Sequence, residues 1–163
     1  MNRRKLILQI KNGNQEALET IITEMYPQVY AFLYRKMKQS DRAKDITQEV
    51  FLKFVENIDR YNEEDKLRNY LFRIGINLAN NYYKSLNYLD DQELDESRIA
   101  MAEDPHTIVM KNADRDMMMQ YISQLSEISR EIIILRYYHE MKFKDIADIL
   151  KIPESTAKSR HRQ

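Results

Sequence analysis

The sequence predicts an all-α fold of two small helical domains joined by an acidic flexible linker. Only two glycines and three prolines occur in 163 residues, which leaves few of the tight turns that an all-β fold requires. Apolar residues recur at helical spacing on both sides of a central stretch that lacks this period. That stretch, residues 86–116, holds nine acidic and three basic side chains, whereas the segments on either side carry a net positive charge.

The first predicted domain, residues 1–86, opens on a basic stretch that we interpret as the start of a helix. Its apolar run is about four residues long, too short for a signal peptide, and no small-residue cleavage site follows. Residues 14–38 are predicted to form the next helix, since their apolar residues recur every three or four positions. Asn14 is expected to cap this helix, and Pro27 is expected to bend or divide it.

The following helical segment has one apolar and one polar face. Ser40 or Asp41 is expected to cap it. Its apolar stripe consists of Ala43, Ile46, Val50, Phe51 and Phe54. The opposite face carries two carboxylates, an amide and a leucine, namely Asp45, Gln48, Glu49 and Leu52. Because nothing nearby completes a cation shell, this face is either a docking surface for a basic partner or a solvated helix face.

The third helical segment, residues 66–86, and the loop before it combine aromatic rings with amide and basic side chains. The rings are those of Tyr61, Tyr70, Phe72, Tyr82 and Tyr83. Unpaired bases stack on aromatic rings at about 1–3 kcal/mol each, and amides can hydrogen-bond base edges. The candidates for contact with a single strand are Tyr61, Arg68, Asn69, Tyr70, Arg73, Asn77, Asn80, Asn81 and Lys84. Taken alone, this composition favours the alternative that the rings are core and the polar groups face water.

Residues 87–113 form the predicted linker, and residues 114–163 form the predicted second domain. Ser126 is expected to cap a helix that runs to about Tyr138. A short helix, a turn of three or four residues and a second short helix follow, which is the pattern of a helix-turn-helix. Lys158, Ser159 and Arg162 would share one face of the last helix and could enter a DNA major groove, unless the pair is an ordinary hairpin with a solvated basic face.

Several classes of function are disfavoured by what the sequence lacks. It has no cysteine, and its three histidines are far apart. It contains no phosphate-binding glycine loop, nucleophile elbow or paired-carboxylate site. We therefore predict no catalytic residues, no metal site and no cofactor. No apolar run approaches the roughly 20 residues of a membrane span, so no membrane insertion is expected.

Four stretches identify a family when they are taken in order. The first domain contains ALETIITEMYPQVYAFLYRKM, AKDITQEVFLKF and LRNYLFRIGINLANNYYKS, and the second contains ISQLSEISREIIILRYYHEMKFKDIADILKIPESTAKSR. Together they resemble the extracytoplasmic-function (ECF) class of bacterial RNA polymerase sigma factors. The resemblance implies a cytoplasmic transcription initiation factor that is not an enzyme. Its implied partners are core RNA polymerase, through the β′ coiled coil and the β subunit, promoter DNA, and an anti-sigma factor.

The resemblance also implies roles for the candidate residues. The polar face of Asp45, Gln48, Glu49 and Leu52 would grip the β′ coiled coil, and the candidates between residues 61 and 84 would face the melted minus-ten strand. The minus-thirty-five duplex would be contacted by Ser155, Thr156, Lys158, Ser159, Arg160 and Arg162. The alternative function is a helix-turn-helix regulator that binds duplex DNA without polymerase.

The chain departs from the family pattern at five positions. Asn81 and Lys84 stand where the family usually has Asp and Arg, and Tyr70 stands where it often has Trp. Lys151 replaces the usual glycine of the C-terminal turn, which costs stability if the turn needs positive φ. His161 replaces an apolar leucine, so the last helix is expected to lack its usual apolar anchor.

Overall fold

The computed structural model describes residues 2–64, 66–89 and 112–163, and the regular structure within these ranges is helical, without a β-strand. The chain divides into two compact units, Met1–Ile99 and Ala100–Gln163. The all-α class is therefore confirmed. Most of the predicted linker lies outside the described residues, so its exact boundaries stay a prediction.

The first unit contains four α-helices and a short 3-10 turn in its described part. They are α1 (Arg3–Lys11), α2 (Gln15–Met37), α3 (Ser40–Glu56), the 3-10 turn (Ile58–Arg60) and α4 (Leu67–Leu89). Helices α2, α3 and α4 pack against one another, while α1 packs on α2 and on the 3-10 turn. The fully buried rings of Phe32, Phe54 and Phe72 lie in this core, where Phe32 and Phe72 stack with their centroids 5.1 Å apart.

Asn14 caps α2 as expected, since its side chain accepts a hydrogen bond from the Ala17 amide at 3.1 Å. Pro27 does not divide the helix, which continues without a break from Gln15 to Met37. Proline removes one backbone donor. However, Met25 and Val29 on either side are fully packed, so tertiary contacts hold the helix together across this position.

The start of α3 differs from the prediction. The capping position is Gln39, which makes no side-chain capping hydrogen bond, and Ser40 is already the first helical residue. The connection sets this start, because only Lys38 and Gln39 separate the two helices, and Lys38 ends α2 in the left-handed conformation, at φ 55°. The Ser40 hydroxyl lies 3.2 Å from the Tyr30 hydroxyl instead. The predicted apolar stripe of α3 is buried throughout.

The second unit contains α5 (Asn112–Gln124), α6 (Glu127–Ile133), a π-helical turn (Ile134–Tyr138), α7 (Phe143–Leu150) and α8 (Glu154–Arg162). Ser126 caps α6 as expected, accepting a hydrogen bond from the Ser129 amide at 3.3 Å. The expected single helix to Tyr138 is α-helical only to Ile133 and π-helical beyond it. Arg130 joins α5 to α6 by donating to the carbonyls of Ile122, Ser123 and Leu125.

The predicted helix-turn-helix is formed by α7 and α8. Lys151 sits between them at φ 54°, in the left-handed region, and its amide donates to the Ala147 carbonyl. The concern about this missing glycine is therefore confirmed, since a side chain occupies a position that favours glycine. Ala157 of α8 is fully buried against the rest of the unit.

Candidate nucleic-acid and polymerase interfaces

Helix α3 presents the predicted polar face to solvent. Asp45, Gln48 and Glu49 are all exposed, and Leu52 is 64% exposed. Their spacing of three or four residues places the four side chains on one side of the helix. An exposed leucine bordered by carboxylates is a surface that can combine apolar contact with attraction to a basic partner.

Helix α4 gathers six of the nine strand-contact candidates on one face. At about 100° per residue, these six fall within roughly a 100° sector of the helix. They are Tyr70, Arg73, Asn77, Asn80, Asn81 and Lys84. Asn77, Asn81 and Lys84 are exposed, and the other three are half-buried. The opposite side of α4 is the core face, where Leu71 and Ala79 are fully buried.

The remaining three candidates lie elsewhere. Arg68 is roughly 160° around the helix from Tyr70, and Asn69 is buried. Tyr61 is also buried and donates its hydroxyl to Glu63 at 3.0 Å. Burial, together with this hydrogen bond, raises the pKa of Tyr61 above its usual value, so the hydroxyl stays protonated and donating. The alternative that part of the aromatic set is core is therefore correct for Tyr61 and Phe72.

Tyr61 nevertheless lies directly beneath the α4 face, where its ring packs against Tyr70. Its ring centroid lies 4.8 Å from that of Tyr70 and 5.7 Å from that of Phe54, with the latter pair edge to face. Tyr70 thus connects the buried rings to the exposed row of amides. At the other end of α4, the guanidinium of Arg42 lies over the Tyr82 ring at 5.2 Å, which ties α4 to the start of α3.

Helix α8 exposes most of the predicted duplex contacts. Ser155, Ser159 and Arg162 follow one another along its outer side, opposite the buried Ala157. Thr156 and Arg160 lie on one flank of this row, with Thr156 the less exposed of the two. Lys158 lies on the other flank and forms an ion pair with Glu154 at 3.1 Å. The helix therefore offers hydroxyl and guanidinium donors on a single outward surface.

Two further properties concern the residues that the structure describes. Among them, no group of three or more His, Cys, Asp or Glu side chains is arranged to hold a metal ion. None of the helices within the described ranges is long and apolar enough to cross a membrane.

Comparison with known proteins accounts for both units. Residues 21–87 match the family description Sigma-70 region 2, and residues 115–163 match Sigma-70, region 4. The chain is 29% identical over 167 residues to the ECF RNA polymerase sigma factor SigW of Bacillus subtilis, an alignment that covers 96% of this chain and 89% of SigW. The chain belongs to the ECF class of RNA polymerase sigma factors.

Other relatives of this sigma factor agree with that assignment. It is 26% identical over 166 residues to the ECF RNA polymerase sigma-E factor of Escherichia coli K12, covering 95% of this chain and 86% of the relative. Two solved structures share its fold. One is the sigma factor RpoE in complex with the anti-sigma factor NepR from Bartonella quintana, with TM-score 0.73, 23% identity and coverage of 88% and 89%. The other is CnrH in complex with the cytosolic domain of CnrY, with TM-score 0.70, 20% identity and coverage of 98% and 90%.

The anchor of the last helix in this sigma factor is a feature that the sequence did not reveal. The half-buried ring of His161 stacks on Tyr137 with centroids 5.6 Å apart, and it meets Phe143 edge-on at 5.2 Å. Its Nε2 atom lies 3.0 Å from the Tyr137 hydroxyl. Arg136 covers the Phe143 ring at 4.8 Å and donates to the Met141 carbonyl at 2.9 Å.

The usual apolar leucine is absent, as the sequence shows, but α8 is not left without an anchor, because the His161 ring supplies an aromatic and hydrogen-bonded contact in its place. The signal in the sequence was the spacing of His161, one helical turn after Ala157, which places its ring on the inward side of α8.

Proposed function

We propose that this sigma factor binds core RNA polymerase through α3, holds the melted minus-ten strand on α4, and contacts the minus-thirty-five duplex with α8. As a member of its family it is an RNA polymerase-binding transcription initiation factor, and it acts by binding rather than by catalysis. The observation that carries the proposal is that α3 and α4 in the matched region 2, and α8 in the matched region 4, each present an exposed face of the required chemistry.

The α3 face supports the polymerase contact. Asp45, Glu49 and Gln48 place two carboxylates and an amide beside an exposed apolar side chain, Leu52. Helix α3 is anchored in the core by its opposite stripe, so this face is presented rigidly. A partner helix with basic side chains, such as the β′ coiled coil of the polymerase, would satisfy both its charge and its apolar part.

The α4 face supports the capture of a single strand. Tyr70 offers a half-exposed ring for stacking, while Asn77 and Asn81 offer amides for base edges. Arg73 and Lys84 add positive charge along the same face, which suits a phosphate backbone. Binding energy gained on an unpaired strand shifts the promoter equilibrium from duplex towards open DNA. In this proposal the buried Tyr61 and Asn69 support the face from beneath. Arg68 contacts the DNA from the other side of α4.

Helix α8 supports the duplex contact. Ser155, Ser159 and Arg162 form the outer row, and Thr156, Lys158 and Arg160 flank it, a pattern suited to phosphates and base edges in a major groove. The alternative of a stand-alone helix-turn-helix regulator is not favoured, because it leaves the matched Sigma-70 region 2, with its α3 and α4 faces, unexplained.

We further propose a cytoplasmic location and control by an anti-sigma factor. Two structural neighbours of the same fold were solved with partner proteins, one of them described as an anti-sigma factor. The exposed apolar and acidic surface of α3 is one that such a partner could cover.

Assembly with core polymerase tests the proposal directly. The purified chain is mixed with bacterial core polymerase, and the products of run-off transcription on a promoter library are sequenced. We expect a stable complex and transcripts that share two upstream elements. Binding of duplex DNA by the chain alone, without assembly on the core enzyme, would instead support the stand-alone regulator.

A further inference from the structure

The loop that precedes α4 is held by a side chain from the first helix of the chain. The ammonium of Lys11 donates to the carbonyl of Tyr61 at 2.7 Å and to the carbonyl of Asp59 at 3.3 Å. These carbonyls lie about 50 residues along the chain from Lys11, so the contact is tertiary rather than local.

The bracing helix is itself fixed. Leu6, Ile7 and Ile10 of α1 are buried in the core of the first unit, and Ile58 of the 3-10 turn is buried against it. Lys11 is the last residue of α1 and is half-buried. Its ammonium therefore projects from a helix that is already fixed. Forming the contact then orders only the lysine side chain, which limits the conformational entropy that is lost.

The chain leaves regular structure at Tyr61, the residue whose carbonyl accepts the hydrogen bond from Lys11. The Tyr61 amide donates to the carbonyls of Asn57 and Ile58, which closes the 3-10 turn. Tyr61 itself is extended, and residues 62–64 have no regular secondary structure. The bond from Lys11 to the Tyr61 carbonyl thus fixes where the chain exits the turn, and with it the position of the Tyr61 ring.

A short series of contacts leads from this bond to the proposed strand-binding face. The Tyr61 ring packs 4.8 Å from the Tyr70 ring, and Tyr70 belongs to the outer face of α4. We propose that Lys11 is a positioning residue for the minus-ten strand: it holds Tyr61 in place, and Tyr61 in turn holds Tyr70 in the orientation that stacks on an unpaired base. This inference rests on the proposed function of α4.

The test uses the full chain assembled with core polymerase and a fluorescent single-stranded oligonucleotide carrying the minus-ten element selected from the promoter library. Lys11→Met removes the ammonium and keeps the aliphatic stem, and Lys5→Met, on the exposed side of α1, is the matched control. We expect Lys11→Met to weaken strand binding by about three- to tenfold, the range of one ordinary hydrogen bond, because the ammonium acts on the strand only through Tyr61 and Tyr70. Lys5→Met and Lys11→Arg, which retains donors for both carbonyls, should bind as the wild type does.

Three further readouts separate positioning from other roles. Hydrogen exchange should quicken in residues 57–64 of Lys11→Met and stay unchanged in α2 and α3, and core binding should be unaltered. The salt dependence of strand binding should also be unchanged, because a direct phosphate contact would lower the log–log slope by about 0.7.

A lowered slope, a parallel loss of core binding, or equal strand affinity in the two methionine variants would each overturn the proposal. If the wild-type holoenzyme fails to bind the strand at all, the proposed function of α4 is at fault rather than the role of Lys11.

Discussion

Replacing His161 with alanine should loosen the last helix and thereby weaken the duplex contact. The imidazole is the side chain of α8 that reaches both Tyr137 and Phe143, and it does so from a half-buried position near the end of the chain. Ala157, one turn earlier, is the other inward-facing residue, and its methyl group is small. Most of the side-chain packing that fixes the second half of α8 is therefore lost with the imidazole ring.

The size of the effect follows from the three contacts. Each aromatic pair contributes about 0.5–1.5 kcal/mol beyond its buried area. The hydrogen bond to the Tyr137 hydroxyl adds about 0.5–1 kcal/mol, at the low end of its range because Tyr137 is 63% exposed. Partial relaxation of the neighbours reduces the sum, so we expect the free energy of opening α8 to fall by about 1–3 kcal/mol.

Native-state hydrogen exchange on the full chain measures this loss locally, which avoids assuming that two units unfold in a single step. Amides of residues 154–162 should exchange roughly 5- to 150-fold faster in His161→Ala, while those of α2 and α3 keep their rates. Arg162→Ala is the matched control on the same helix, and it should weaken duplex binding without changing exchange. Unaltered exchange in His161→Ala would refute the anchoring role of the ring cluster.

Substitutions at four other positions probe the remaining parts of the molecule. Asp45→Lys should weaken assembly with core polymerase about tenfold or more, because it reverses a charge on the α3 face, and unchanged titration curves would remove this assignment. Asn77→Ala should lower holoenzyme affinity for the matched minus-ten strand about tenfold, whereas equal losses on a scrambled strand would argue against base reading. Lys151→Gly should raise the stability of the second unit by about 1 kcal/mol, since it relieves a side chain at φ 54°, and a lower melting temperature would contradict this. Gly75→Ala should stabilise the first unit by up to about 1 kcal/mol, because alanine favours a helix more than glycine does and its Cβ would fit at 3.4 Å from Leu33 Cδ2. Gly75→Leu should instead destabilise the unit by overpacking its core.

The elements that the sequence predicted well are those in which one physical signal dominates. The stripe of α3 has a strong helical period, and all five of its residues are buried. Asn14 and Ser126 are preferred capping residues that stand just before such periodic runs, and both cap their helices. The predicted class, a helical chain with two units, depends only on signals of this kind.

The failures occur where two signals compete. Ser40 is a good capping residue, but the connection from α2 is only two residues long, so Ser40 is already inside the next helix and Gln39 takes the capping position. Pro27 is a helix breaker in isolation, but the helix around it is packed on both sides. In each case a tertiary constraint outweighs a local preference, and a single sequence does not show the strength of that constraint.

The aromatic residues on and before α4 meet the same limit, because composition alone does not separate buried rings from exposed ones. Composition placed Tyr61, Tyr70 and Phe72 in one group, although the structure buries Tyr61 and Phe72 and leaves Tyr70 half-exposed. The helical period separates Phe72 from Tyr70, since two residues along a helix turn about 200°. It says nothing about Tyr61, which lies in a loop whose position is set by a lysine of α1. The two proposed DNA-binding helices are therefore held in different ways: α4 by the core and by a loop braced from α1, and α8 by a ring cluster within its own unit. Loss of His161 should consequently weaken duplex binding without affecting the minus-ten strand, and loss of Lys11 should do the reverse.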